Sequence, residues 1–159
     1  MSYDLMVFEK TKAPTTRVEF MNWFAQQTEW SESHDYDNIS VASSSLQNWF
    51  MEMKETFPPL NGEHAPSDEV IDEMLNDEEL GAHLTDYSIG ADVIYAGFRW
   101  SLAEKANLLM LELAQKHDVG FFDVSSENRD IIFPNGMALD IEAVPEKQTL
   151  FTNFPEFDS

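Results

Sequence analysis

Residues 3–9 read YDLMVFE, with Leu5 and Val7 falling on one side of an extended chain and Met6 and Phe8 on the other. Apolar residues on both sides predict a central strand. After a proline-containing turn at 12–15, Thr16-Arg17-Val18-Glu19 has capping-box spacing, the hydroxyl placed to accept from the Glu19 amide while the carboxylate reaches back. Phe20, Met21 and Phe24 then mark the apolar side of a helix ending near Gln27. Residues 31–43 are polar and irregular. Ser44 stands three residues before Gln47, a second capping spacing, and Leu46, Trp49, Phe50, Met53 and Phe57 follow at steps of three and four until Pro58-Pro59 stops the helix.

Pro66 and Ser67 open a short helix that carries Val70, Ile71, Met74 and Leu75, with acids in its first turn to complement the helix dipole. Two strands are expected at 84–89 and 92–100, joined at Gly90-Ala91 as an antiparallel pair. Ser101 and Glu104 give a third capping match. The helix behind them has the clearest stripe in the chain, Leu102, Ala106, Leu109, Met110, Leu113 and Ala114, with His117 in the last turn and Gly120 as the stop. Short strands at 121–124 and 131–133 complete the pattern.

The order predicts an α+β fold of βαββαβ type: a ferredoxin-like plait, an antiparallel sheet with helices on one face and an acidic helical insertion at 31–83. One domain is expected over 1–144, followed by a C-terminal tail at 145–159 whose Phe151, Phe154 and Phe157 either pack on the body or stay loose.

Composition adds a strong charge asymmetry. Among 159 residues, 30 Asp and Glu face 9 Lys and Arg, a formal net charge of -21. The excess is not uniform, since residues 55–98 hold eleven carboxylates and neither Lys nor Arg. With 43% hydrophobic and 13% aromatic residues the chain is built to fold, so the acids decorate a globular body rather than a disordered tail. Clustered cations needed for phosphate are missing, which argues against nucleic acid and anionic membrane surfaces as partners and favours cationic ones. A halophile's surface is another source of such acidity. Cysteine is absent, which removes disulfides, thiolate metal sites and thiol nucleophiles. The N-terminus lacks the basic and long apolar regions of a secretory signal, and no apolar run reaches membrane-spanning length, so a cytoplasmic protein is expected.

The common nucleophile, phosphate-loop, dinucleotide and zinc motifs are not present, and three Arg in total leave little for a phosphate clamp. Residues 32–37 (ESHDYD) gather oxygen and imidazole ligands, but an EF-hand register from Asp35 puts Ser40 where Gly is required and Leu46 where the bidentate Glu belongs. A solvated polar loop is the better expectation, and no metal or other cofactor is implied. Asp123 lies inside an apolar strand and must be paired, hydrogen-bonded or protonated. Arg99, the cation in an otherwise base-free neighbourhood, is its expected partner, and His117-Asp118 at a helix end completes an alternative polar site of Arg99, Asp123 and His117. The plainer readings are a structural ion pair and a histidine stabilised by the helix C-terminus. Asp4, in the first strand, carries the same ambiguity as Asp123.

The opening MSYDLMVFE and the block VIYAGFRWSLAEKANLLMLELAQKHDVGFFDVSS resemble a family of small, uncharacterised bacterial proteins in the tyrosine-aspartate-leucine start, the Trp before the long helix and the VGFFD strand after it. The resemblance covers less than a third of the chain and implies one compact domain with Trp100, Gly120 and Asp123 as framework positions. It implies no activity. Acidic bacterial proteins of this size and type are also similar to the immunity proteins that neutralise secreted toxins.

These observations combine into one functional expectation, a non-enzymatic module that occludes a basic protein partner, such as a nuclease-like toxin. Asp68, Glu69, Asp72, Glu73, Asp77, Glu78 and Glu79 would form the contact face, with Trp49 as an aromatic anchor. Seven acids within twelve residues place like charges at i,i+4 spacing, a repulsion of a few tenths of a kcal/mol per pair that a cationic partner relieves. The rival expectation is a small enzyme or ligand-binding domain around Asp123, Arg99 and the histidines.

Overall fold

The computed structural model describes residues 2–139. It is an α+β fold with a five-stranded antiparallel sheet in the order β2-β3-β1-β4-β5. The strands are β1 (Tyr3–Phe8), β2 (Asp86–Ile89), β3 (Val93–Phe98), β4 (Gly120–Phe122) and β5 (Ile131–Ile132). The helices are α1 (Arg17–Gln27), α2 (Ser44–Met53), α3 (Asp68–Leu75), α4 (Glu78–Ala82) and α5 (Ala103–Lys116).

β1 is central, pairing with β3 from Tyr3↔Phe98 to Phe8↔Val93 and with β4 from Met6↔Phe122 to Phe8↔Gly120. Its alternation therefore feeds two cores. Leu5 and Val7 pack with Leu46, Trp49, Phe50 and Met53 of α2 and with Ala106, Met110 and Leu113 of α5. Met6 and Phe8 pack on the opposite face with Phe20, Trp23 and Phe24 of α1. The expectation of helices on one face is thus corrected: α2 and α5 share a face, and α1 covers the other. The reason is in β1 itself, whose two apolar sides both demand a cover. Phe8 alone meets Phe20, Trp23 and Phe133 in edge-on ring contacts.

Helix starts follow local chemistry in part. Thr16 caps α1 as read from the sequence, accepting from Glu19 N at 3.3 Å and donating to Glu19 Oε1 at 2.9 Å. For α2 the cap moves one residue, to Ser43, which accepts from Leu46 N at 3.4 Å. The Ser101 cap does not form, because Trp100–Leu102 is a 3-10 turn and α5 begins at Ala103 without a side-chain cap. α5 ends through Asp118, whose backbone is left-handed at φ 65°, and Val119 N donates back to Ala114 O at 2.9 Å. Gly120 is therefore not the helix stop. It lies in β4, where a Cβ would meet the Phe8 ring at 2.1 Å.

The β2 edge is partly covered: Thr85 N donates to Pro58 O, Leu60 N to Thr85 O, and Ile89 N to Tyr36 O. These bonds occupy backbone groups that would otherwise offer a pairing edge. The C-terminal tail at 145–159 lies outside the described residues.

Candidate functional site

α3 and α4 form the acidic face. Ser67 caps α3 by accepting from Val70 N at 3.2 Å, and Asp77 caps α4 by accepting at Oδ1 from Glu79 N at 3.0 Å and Leu80 N at 3.1 Å. Asp77 is thus also a structural residue. Gly81 is buried where the two helices meet, and a Cβ there would lie 3.0 Å from the Met74 carbonyl oxygen. None of the α3 residues is buried. All seven acids, Asp68, Glu69, Asp72, Glu73, Asp77, Glu78 and Glu79, are exposed. Among the described residues none of the seven forms an ion pair, since the pairs that exist join other acids.

The face is not purely polar. Val70 is 42% exposed, Leu75 56% and Leu80 51%. Beside it, Met74, Leu80 and Pro58 line a groove of about 550 Å³ with Glu55, Glu79, His83 and Lys105 at its walls. Lys105 Nζ donates to His83 Nε2 at 2.9 Å while His83 Nδ1 bonds the Glu79 carbonyl at 2.8 Å, so the ring ties α4 to α5. Apolar side chains interleaved with carboxylates that lack an ion-pair partner among the described residues can meet both an apolar anchor and positive charge.

Trp49, expected at this face, is elsewhere. It is fully buried between α2 and α5, and its Nε1 donates to the Met110 carbonyl at 3.3 Å. This corrects its assignment as a partner-binding residue: its side of α2 belongs to the Leu46, Phe50 and Met53 stripe that faces the sheet.

The alternative polar residues are dispersed. Asp123 is 8% exposed, and both its oxygens are engaged, Oδ1 by the Tyr3 hydroxyl at 2.8 Å and Oδ2 by Asn107 Nδ2 at 2.7 Å. Burial, reinforced by the bond to the Asp123 carboxylate, pushes the Tyr3 phenol up to about 12. Arg99 is not the partner of Asp123. It is exposed and lines a separate hollow with Glu78, Glu79 and Ser101. His117 bonds Glu52 Oε1 at 2.9 Å, next to Lys116 at 3.0 Å from Glu52 Oε2. Those bonds, the His117 one foremost, hold the Glu52 carboxyl below its ordinary value. Asp123 therefore joins β1, α5 and the turn after β4 through these two bonds.

In the polar loop, His34 Nε2 bonds Glu32 Oε1 at 2.6 Å, Tyr36 N donates to His34 Nδ1 at 3.1 Å, and Ala91 N donates to Glu32 Oε1 at 3.2 Å. The acid and imidazole thus pin the loop to the β2–β3 turn. Gly90 permits this, since a Cβ there would meet Glu32 Oε2 at 2.9 Å.

One polar group was not assembled by sequence reasoning. Asp4 lies opposite Gly97, and Gly97 opposite Asp86, so two acids flank a glycine in one row across β1, β3 and β2. The Tyr95 hydroxyl donates to Asp4 Oδ2 at 2.5 Å and Ser2 Oγ to Oδ1 at 2.5 Å. Burial and the Asp4 bond both raise the Tyr95 phenol above its ordinary value. A cleft of about 300 Å³ opens over this row, walled by Phe24, Trp30 and Tyr95. Asp4 was visible as an acid in an apolar strand, but its row depends on strand register. No family model, curated protein or solved structure matches this chain.

Proposed function

We propose that this protein is a non-enzymatic binding module that occludes a basic protein partner through the α3–α4 face, in the manner of an immunity protein set against a nuclease-like toxin. The observation that carries the reading is the pairing state of that face: seven exposed carboxylates without an ion-pair partner among the described residues, interleaved with exposed Val70, Leu75 and Leu80. Such a field accelerates the encounter with a cation-rich surface, towards about 10⁸ per molar per second at low salt, and the apolar residues supply contact area once docked. The dispersal of Arg99, Asp123 and His117 gives the enzyme reading no assembled site to rest on.

The same reading treats the sheet with α2 and α5 as the scaffold. The order β2-β3-β1-β4 and the placing of both helices on one face support a ferredoxin-like plait, to which α1, the α3–α4 pair and β5 are additions.

The test is affinity capture from the native strain with mass spectrometry, followed by association kinetics of the captured protein at several salt concentrations. A basic partner whose association slows with salt, and slows by at least tenfold for the Asp68→Lys, Glu69→Lys, Asp72→Lys, Glu73→Lys variant, supports the reading. A partner whose association ignores both salt and charge reversal overturns it.

A further inference from the structure

The α3–α4 face is not the only place where this chain is prepared for positive charge. On the α1 side of the sheet, the Asp4–Gly97–Asp86 row places two carboxylates on adjacent-but-one strands, about 9.6 Å apart at Cα by strand spacing. Gly97 between them leaves room for the Ser2 and Asp4 side chains, since a Cβ there would approach Ser2 Oγ at 3.2 Å and Asp4 Oδ1 at 3.4 Å. Asp4 is held in place by two hydroxyl donors, whereas Asp86 is exposed and makes no side-chain hydrogen bond among the described residues.

Above this row the walls combine the rings of Phe24, Trp30 and Tyr95 with the hydroxyls of Thr28 and Ser88. Trp30 stands edge-on to Tyr95 at 6.0 Å and to Tyr36 at 5.1 Å, and its backbone is left-handed at φ 53°, a conformation a bulky residue adopts only when its surroundings hold it there. The cleft volume of about 300 Å³ falls at the lower end of the range for ligand pockets. A hard divalent cation would want six or more oxygens, whereas the cleft offers two carboxylates, one of them already accepting from Tyr95 and Ser2, and the hydroxyls of Ser2, Thr28 and Ser88. An organic cation uses both components, the carboxylates for charge-assisted hydrogen bonds and the rings for its flat face. The chain supplies its own precedent: the Arg129 guanidinium lies over the neighbouring Phe24 and Phe122 rings at 5.7 and 5.4 Å.

We propose that the cleft between α1 and the Asp4–Gly97–Asp86 row binds a guanidinium group, spanned by the two carboxylates and stacked against Trp30 or Tyr95. A planar, bidentate cation fits two separated carboxylates and an aromatic wall better than the compact, strongly hydrated ammonium of lysine. The source is either a small molecule or an arginine side chain. The proposal does not rest on the α3–α4 reading, which concerns the other face of the sheet.

The experiment is an amide-detected NMR titration of the full chain with N-acetyl-arginine amide, N-acetyl-citrulline amide, N-acetyl-lysine amide and a short acetylated peptide with one central arginine. Saturable shifts centred on the Trp30 indole and the Gly97 amide are expected with the arginine amide. Affinity should be at least tenfold weaker for lysine, and citrulline should produce none. Asp86→Asn, which breaks no hydrogen bond among the described residues, should weaken binding at least tenfold, while Glu73→Lys should leave it unchanged. Shifts with the arginine peptide as well assign the group to a polypeptide, and shifts with the amide alone assign it to a small molecule. Absence of saturable shifts at these two residues, equal binding of citrulline or lysine, or an unaltered affinity in Asp86→Asn overturns the proposal.

Discussion

The Tyr3 hydroxyl donates to Asp123 Oδ1 at 2.8 Å across a sequence separation of 120 residues, while the next residue, Asp4, accepts from Tyr95 on the opposite face of the sheet. Two tyrosine–aspartate bonds thus lock β1 to its neighbours from above and below, at the end of the strand where the apolar run has not yet begun. Tyr3→Phe leaves a buried carboxylate oxygen without its donor, so a loss of about 1–2 kcal/mol is expected. Urea denaturation checks it, and a cycle with Asp123→Asn should return a coupling of about 1 kcal/mol.

Alkaline stability follows from the same bond. The folded-state phenol of Tyr3 is raised to about 12, above the ordinary 10.0, so the folded protein favours the neutral form. A raised pKa gives stability that is fully present below the unfolded value and lost as pH climbs through the folded one. The melting temperature should therefore be insensitive to this group below pH 10 and fall between about pH 10 and 12. Tyr3→Phe should flatten part of that fall, read by calorimetry against pH.

Gly120→Ala drives a methyl group into the Phe8 ring, which is itself wedged among Phe20, Trp23 and Phe133. Neither partner has space to yield. The expected loss is about 1–3 kcal/mol, with the α1 face loosened first. Hydrogen exchange should show the amides of α1 losing protection before those of α5.

The acid face should oppose folding slightly. Because Asp68 with Asp72 and Glu69 with Glu73 repel at helical spacing, Asp72→Lys should stabilise the chain by a few tenths of a kcal/mol, on the order of 0.5. Salt should do the same to the native protein by screening its net charge of -21, raising the melting temperature as sodium chloride increases. A melting temperature that falls with salt, or with the lysine, would contradict the repulsive field on which the proposed docking depends.

Glu52 offers a check at the acid end. Its carboxyl is lowered chiefly by the His117 bond and then by Lys116, so the pair contributes above the ordinary carboxylate value of 4.5 and fades as pH falls below it. The melting-temperature difference between the wild type and Glu52→Gln should shrink on acidification through that range.

Much of the architecture could be read from local pattern. The β1 alternation, the Thr16–Glu19 cap and the α2 and α5 stripes each depend on residues within one or two turns, so their period survives in the sequence. The errors were of two local kinds. At the start of α2 the adjacent hydroxyls of Ser43, Ser44 and Ser45 compete for one cap and Ser43 takes it, whereas at Ser101 a 3-10 turn precedes α5 and no side chain caps it. At Gly120 the residue's small size was assigned to a helix end when it answers a ring on another strand.

The candidate sites divide in the same way. The acidic run was legible because charge density is a property of neighbouring residues, and a helix with no buried residue keeps it at the surface. Trp49 was misplaced because a tryptophan on a helix stripe looks the same whether the stripe meets a partner or the protein's own sheet. Asp123 was rightly read as needing a partner, yet its donors came from Tyr3 and Asn107 rather than from Arg99, since a buried carboxylate is satisfied by any well-placed donor.

By itself, then, the sequence determined the kind and order of the main elements apart from α4, the two-sided burial of β1 and the concentration of negative charge at 68–79. The tertiary structure decided which face each helix covers, which donors reach Asp4 and Asp123, and that Asp4, Gly97 and Asp86 share a row under Trp30. The physical reason is range: periodicity, capping and charge density act over a few residues, whereas strand register and side-chain pairing join residues that only chain closure brings together.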